Sequence, residues 1–331
     1  MLTVNHRITI NSDIWSPAQH SRLLALRCHG DMTTPVNECM ISMSVPKGIS
    51  ANPGDTIKVK LGYEKDLKTV FTGVIGSVQN EMDRLSIRAT GAARRLLSVR
   101  LNRFFEKTAA GGIVSDICGQ LEVPTGNVES GLDLSYYALG SNHSSADHIR
   151  YLAGLCGFDL FADENDRLVF TRVDGKEHPY QYGVNILALS LDDPAPDVSG
   201  VEIFGDSAAG KQGTDAAYWL SKAAVKGKAG DASDALQTLF VGAARTEEHA
   251  QKIAGAYLQA LASKKTGTLK TLGAAAVRLG DTAKISKMPV DSQNGNFRVT
   301  GITHTITPGK GFTTTLQLES TEGGWSLSSL L

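Results

Sequence analysis

Residues 53–62, PGDTIKVKLG, and residues 278–287, RLGDTAKISK, open two segments that share one pattern. In the first, Ile57, Val59 and Leu61 alternate with Thr56, Lys58 and Lys60, the period of two expected of a strand with one wet face. Gly-Asp alone is ordinary turn chemistry. The likeness continues, however. Gly54-Asp55-Thr56 aligns with Gly280-Asp281-Thr282, Gly73 with Gly301, Val78 with Ile306, and Leu85, Ile87 and Ala89 with Thr314, Leu316 and Leu318. The parity of the apolar face holds throughout, whereas a slip of one residue would turn a strand inside out. The pattern predicts duplication of one β-domain; the other reading is two unrelated antiparallel segments with similar turns.

Between these segments the periodicity changes. TAAGGIVSDICGQL (108–121) places Ile113, Ile117 and Leu121 on one helical stripe with Thr108 as the expected cap. In 144–173, Ser144 or Ser145 caps a helix with Ile149, Leu152 and Leu155 or Cys156 on its stripe, and Gly157 ends it. A hairpin follows, FDLFA and RLVFTRV about a solvated turn DENDR. Residues 205–233 are polar and Gly-rich, reading as an exposed excursion or a mobile loop. Residues 246–265 form an amphipathic helix with Ile253, Tyr257 and Leu261 on one face and Lys264 and Lys265 at its end. The predicted fold class is α+β, mainly β: two antiparallel β-barrel domains related by internal duplication, with an α+β insert between them. The boundaries are 1–105 for the first barrel, 106–190 for the insert, 191–322 for the second barrel with a 205–265 loop and helix insertion, and 323–331 for a C-terminal tail. Two copies are too few for a solenoid. A threefold trimer would set six similar domains in a ring.

The 331 residues bound the chain at roughly two to three domains. A formal net charge of −1 gives no general electrostatic pull toward nucleic acid or acidic lipid, so any such contact must be local. No stretch has the apolar length of a membrane span, and the N-terminus alternates like a strand rather than a leader. Cys28, Cys39, Cys118 and Cys156 lack metal or redox spacing and read as buried free thiols.

The order GDTIKVKLGY…VFTGVIGSV, AAGGIVSDIC, SSADHIRYLAGLCGFDLFADENDRLVF, EEHAQKIAGAYL, RLGDTAKIS…FRVTGITHTI…FTTTLQLES resembles the baseplate hub proteins of contractile phage tails. It is also similar to the late control D family and to the hub portion of type VI secretion spike proteins. The resemblance spans most of residues 50–320 and rests on arrangement more than on an invariant signature. It implies tail-tube-like barrels and a homotrimer forming a pseudohexameric ring that joins the hexameric tail tube to the trimeric central spike. The family's piercing β-helix and the OB-fold before it have no counterpart up to Leu331, so the spike is expected to be a separate chain. Implied partners are the tube or a tube initiator, with tape-measure and baseplate wedge proteins as further candidates. No stable membrane anchoring is expected, and DNA would at most pass through the channel. The implied place is the baseplate of a virion tail or injection machine, assembled in the bacterial host cytoplasm.

Equivalent structural positions are then Gly54, Asp55 and Gly73 in one copy and Gly280, Asp281 and Gly301 in the other. The apolar tail Trp325, Leu327, Leu330 and Leu331 has two open dispositions, docking on a partner or packing on its own domain. No catalytic, cofactor-binding or metal-ligating set is expected. Lys211 lacks the order of a phosphate-binding loop, His143 and His148 lack a metal-site glutamate, and 163–168 lacks the glycine and final glutamate of a calcium loop. Asp55 and Asp281 could be misread as a glycosidase pair, but turn bonding explains both. The rival readings are a baseplate-associated peptidoglycan hydrolase, which would need a catalytic acid in a cleft, and a carbohydrate-binding β-protein of the tail tip. The latter calls for aromatic platforms, and Trp15, Trp219 and Trp325 are scattered.

Overall fold

The computed structural model describes residues 3–17, 23–44, 50–194, 198–205, 225–231, 235–261 and 264–321. Its first part is a β unit of strands β1 (Val4–Ile10), β2 (Asp13–Trp15), β3 (Leu23–Asp31), β4 (Glu38–Ser44), β5 (Thr56–Tyr63), β6 (Asp66–Asn80) and β7 (Arg84–Thr90). They pair in the order β3-β4-β7-β6-β5-β1-β2, all antiparallel. The alternation seen in the sequence is realised: Ile57, Val59 and Leu61 join Ile8, Leu26, Ile41, Phe71 and Ile87 in one buried core. Among the described residues β1 and β3 form no ladder with each other, so this barrel-like unit is held around its core rather than sealed by hydrogen bonds.

The second β unit uses β13 (Glu177–Gln181), β14 (Ile186–Asp192), β18 (Thr266–Leu272), β19 (Thr282–Ser286), β20 (Gly295–Thr307) and β21 (Gly311–Ser320). Its order, β14-β18-β21-β20-β19-β13, repeats β3-β4-β7-β6-β5-β1. Even the irregularities repeat. A bulge between Leu23 and Ala25 in β3 recurs between Ile186 and Ala188 in β14, and one between Ile75 and Ser77 in β6 recurs between Val299 and Gly301 in β20. Bulges are specific features of a ladder, so their recurrence fixes the correspondence residue by residue. One strand differs: β1 runs antiparallel to β5, but β13 runs parallel to β19. The ladder also moves a boundary. Residues 177–190, expected in the insert, pair, together with 191 and 192, with β18 and β19 and belong to the second β unit.

The remaining elements are α1 (Arg94–Ser98), β8 (Arg103–Ala109), α2 (Ala110–Gln120), β9 (Thr125–Val128), β10 (Asp133–Leu139), α3 (Ser145–Cys156), β11 (Asp159–Ala162) and β12 (Leu168–Thr171), then β15 (Gly200–Gly205), β16 (Lys226–Gly230), β17 (Leu236–Val241) and α4 (Glu247–Leu261). Helix α3 starts at Ser144, whose hydroxyl accepts from the Asp147 N–H while the Asp147 carboxylate accepts from the Ser144 N–H, and ends at Gly157 with φ 66°. Thr108 does not cap α2: it lies in β8, and its hydroxyl donates to the Glu106 carbonyl. Lys264 and Lys265 lie beyond α4, pairing with Glu319 and Asp193 instead of closing the helix. Residues 226–230, expected in an exposed excursion, form β16 on β15, while 206–224 and 232–234 lie outside the described residues.

Both groups of elements share one core. Ile113, Ile117, Ile149, Leu152 and Phe170 pack in the same cluster as Val201, Ile203, Ala250 and Ile253. The two insertions, distant in sequence, thus form one α+β body, with α3 against α4. Ile253→Ala is expected to cost about 3 kcal/mol in urea unfolding, the usual cost of a large-to-small change at a fully buried site. Hydrogen exchange is expected to show lost protection in α3 as well as α4.

Candidate assembly interface

The two β units meet through a strand pair. Gly301–Ile306 of β20 runs antiparallel to Leu26–Asp31 of β3, with Gly301 opposite Asp31, Thr303 opposite His29 and Ile306 opposite Leu26. This seam joins the units into one thirteen-stranded sheet. Its side chains are matched in kind. Ile306 and Phe312 enter the first unit's core, His29 Nδ1 lies 3.0 Å from the Thr303 hydroxyl, and His29 Nε2 lies 3.0 Å from an Asp31 carboxylate oxygen. Cys28 and Cys39, facing each other on β3 and β4, bring their sulfurs to 3.2 Å, a juxtaposition not visible in their spacing along the chain. Both are buried free thiols, as is Cys118, and Cys156 is half-buried.

His304 sits under the seam, with Nδ1 3.0 Å from the Thr314 hydroxyl. Burial first, and the Arg278 guanidinium second, push this imidazole down to about 3. Arg278 is the joint of three parts: it donates to the carbonyls of Ala275, Val277 and Thr69 and pairs with Glu164 at 3.2 Å. The turn at 163–168, expected to be solvated, is partly buried here. Asn37 Nδ2 donates to the Ala162 and Asp163 carbonyls, Thr72 donates to the Glu164 carbonyl, and the buried Asp166 carboxylate accepts from the Ala92 N–H. Burial, against the Ala92 hydrogen bond, raises Asp166 to about 6.

The two Gly-Asp turns make the same ladder contacts. Gly54 N–H donates to the Ile75 carbonyl and Ile75 N–H to the Asp55 carbonyl; Gly280 and Val299, then Val299 and Asp281, do likewise. Both glycines hold positive φ, 98° and 86°, which disfavours any other residue. Ile75 therefore corresponds to Val299, which shifts the middle of the sequence alignment while leaving Leu85, Ile87 and Ala89 matched to Thr314, Leu316 and Leu318. Gly73 matches Phe297 and Gly301 matches Ser77, so Gly73 and Gly301 stand four residues out of step; His304 corresponds to Asn80.

The aspartates have diverged. Asp55 is only partly buried, accepts from the Asn52 N–H, and is held below the usual carboxylate range by the Asn11 amide first and that N–H second. Asp281 is buried, accepts from the Lys176 and Arg278 N–H groups, and lies 2.7 Å from His178 Nε2. The two carboxylates serve separate turns and form no catalytic pair. Trp325, Leu327, Leu330 and Leu331 lie outside the described residues.

Other polar clusters are tied up structurally. His148 contacts the Tyr137 hydroxyl and the Gly140 carbonyl, with His143 edge-on beside it. Among the described residues no group of three or more His, Cys, Asp or Glu could hold a metal ion. No helix among them is long and apolar enough to cross a membrane.

Asp281→Ala removes a buried carboxylate that two partly buried N–H groups and His178 share, and is expected to cost about 2 kcal/mol, against a clearly smaller loss for Asp55→Ala, both read from urea midpoints. His304 is neutral in the folded chain and takes up a proton near 6.5 once unfolded. Its contribution is thus fully present above pH 6.5 and is lost as pH falls toward 3. His304→Gln is expected to flatten the fall in urea midpoint between pH 7 and pH 4. Asp166 acts with the opposite sign below pH 6 in both proteins, so the difference between them isolates the histidine.

The profile of the Alg8 N-terminal domain family matches residues 42–308. No curated protein matches the sequence. Among solved structures, the 43 kDa tail protein of prophage MuSo2 from Shewanella oneidensis is similar with a TM-score of 0.71 at 13% identity, covering 97% of this chain and 99% of that one. A tail protein from Neisseria meningitidis MC58 gives 0.70 at 13%, covering 97% and 98%. The E. coli c3393 protein, a component of the type VI secretion system with structural similarity to bacteriophage tail proteins, gives 0.58 at 12%, covering 95% and 77%. Duplicated β units, their seam and the central α+β body thus form a fold shared with tail and secretion-system proteins, and the chain itself belongs to the Alg8 N-terminal domain family.

Proposed function

We propose that this chain is a structural, non-enzymatic component of a phage tail or related contractile injection machine, acting as the baseplate hub. Three copies form a pseudohexameric ring that joins the hexameric tail tube to the trimeric central spike. The observation that carries the reading is the internal repeat: two β units with one strand order and matching bulges, joined side by side within a chain. A threefold assembly of such chains presents six similar units to the tube while staying threefold toward the spike. The fold shared with tail proteins supports the same reading.

The spike, as a separate chain, and the tube or its initiator are the direct partners; tape-measure and wedge proteins are further candidates. The place of action is the tail baseplate, assembled in the bacterial host cytoplasm, and sheath contraction drives the assembly toward the target envelope. DNA would at most pass through the channel. The hydrolase alternative gains no support from the groove beside Phe161 and Arg172, where Asp163 pairs with Arg167 at 2.8 Å and Glu164 with Arg278 at 3.2 Å. Each of these acids is engaged by an arginine.

Light scattering on the purified protein, alone and with the spike chain, tests the reading. The expected result is a trimer of about 106 kDa, three times 35.2 kDa, for the protein alone, or a monomer that becomes a 3:3 complex when the spike is added. A protein that stays monomeric with the spike, or that cleaves cell wall, overturns it.

A further inference from the structure

The seam within the chain has an unfilled twin. Because the two units correspond residue by residue, the edge of β20 that meets β3 has a counterpart in β6, and the edge of β3 that meets β20 has a counterpart in β14. Ser77 matches Gly301 and Gln79 matches Thr303; Leu189 matches Leu26, Leu191 matches Cys28, and Asp192 matches His29. Neither counterpart edge is paired among the described residues. β14 bonds only to β18, and β6 beyond Ile75 bonds only to β7.

These edges carry the marks of surfaces meant to be covered. Exposed edge strands are ordinarily blunted by lysine, proline or shortness. β14, ILALSLD, has neither lysine nor proline and leaves Leu187 half exposed. Tyr182, Val184 and Leu272, beside it on the preceding turn and on β18, are exposed too. At the other edge Met82 is fully exposed, whereas its counterpart Ile306 is buried against Leu26. Leu189, the counterpart of Leu26, is only half-buried, as expected of a residue missing its cover.

The geometry points to a second copy of this chain as the occupant: β14 of one copy pairs antiparallel with Ser77–Asn80 of β6 in the next. The register follows from the seam. Gln79 faces Asp192, so that an amide N–H reaches a carboxylate where Thr303 meets His29 within the chain. Asn80 faces Leu191, and Met82, from the turn after β6, covers Leu189. Such a contact is head to tail, which closes into a ring or runs on as a filament according to the rotation between copies. The inference deepens the ring reading and rests on it for closure at three.

Paired cysteines in the full chain test it. With copper phenanthroline as oxidant, Gln79→Cys combined with Asp192→Cys is expected to give covalent dimers and trimers on a non-reducing gel. The out-of-register pair Gln79→Cys with Ser190→Cys, and the unaltered chain, are expected to give at most about a fifth as much, since the native thiols are buried or half-buried. Met82→Asp, at a site exposed in the single chain, is expected to leave the melting temperature of the isolated subunit unchanged and to raise the concentration needed for assembly about tenfold, the effect of a charge buried at an apolar contact. A trimer by light scattering with no in-register cross-link and no effect of Met82→Asp overturns the edge pairing while leaving the ring. In-register cross-links that extend past trimer uphold the pairing and overturn the closed ring. A protein that stays monomeric at every concentration even with the spike present, with no cross-link, overturns both.

Discussion

The antiparallel pairing of β20 with β3 is the contact on which the rest of the molecule depends. Without it the chain would be two separate β units. With it there is one continuous sheet, and Ile306 and Phe312 of the second unit complete the core of the first. The α+β body is braced on the same junction. Asn37, just before β4, holds the hairpin carbonyls of Ala162 and Asp163, and Arg278 links Thr69 of β6 to Glu164 of the hairpin. A buried neutral histidine beneath the seam adds a polar contact at the cost of acid tolerance.

One turn has taken on two roles. Gly54 and Gly280 use the same left-handed backbone to bring the chain onto the neighbouring strand, and the aspartate after each continues the ladder through its main chain. The side chains then part company, because β1, antiparallel to β5, ends at the first turn, whereas β13, parallel to β19, begins at the second. Asp281 fastens β13 to β19 through the Lys176 N–H and His178, whereas Asp55 meets its own turn and Asn11. Duplication supplies a scaffold in this way, and its two copies are free to take different neighbours.

Much of this was legible in the sequence, for a physical reason: alternation, helical stripes and caps are local. Ile57, Val59 and Leu61 face inward as their spacing requires, and Ser144, Asp147 and Gly157 bound α3 as their chemistry dictates. What misled was long-range. Gly73 and Gly301 look equivalent, yet each is small for its own reason: a Cβ would meet the Thr90 carbonyl oxygen at 2.6 Å in one case and the Gln317 side chain at 2.5 Å in the other. Residues 177–192 follow the insert in sequence but are claimed by β18 and β19 through pairing about a hundred residues away. The DENDR turn reads as solvated because it is acidic, and only tertiary packing places Asp166 on the Ala92 N–H. The contact of Cys28 with Cys39 needs strand register, which spacing along the chain does not supply.

The central claim is that the contact joining two units within a chain recurs between chains until a ring closes. Electron microscopy of the purified protein, with or without its spike partner, tests this most directly by showing the assembly in projection along its axis. The account requires a closed annulus of six similar lobes with true threefold symmetry, alternate junctions being covalently continuous. Open filaments, twofold particles or single two-lobed monomers at all concentrations would contradict it.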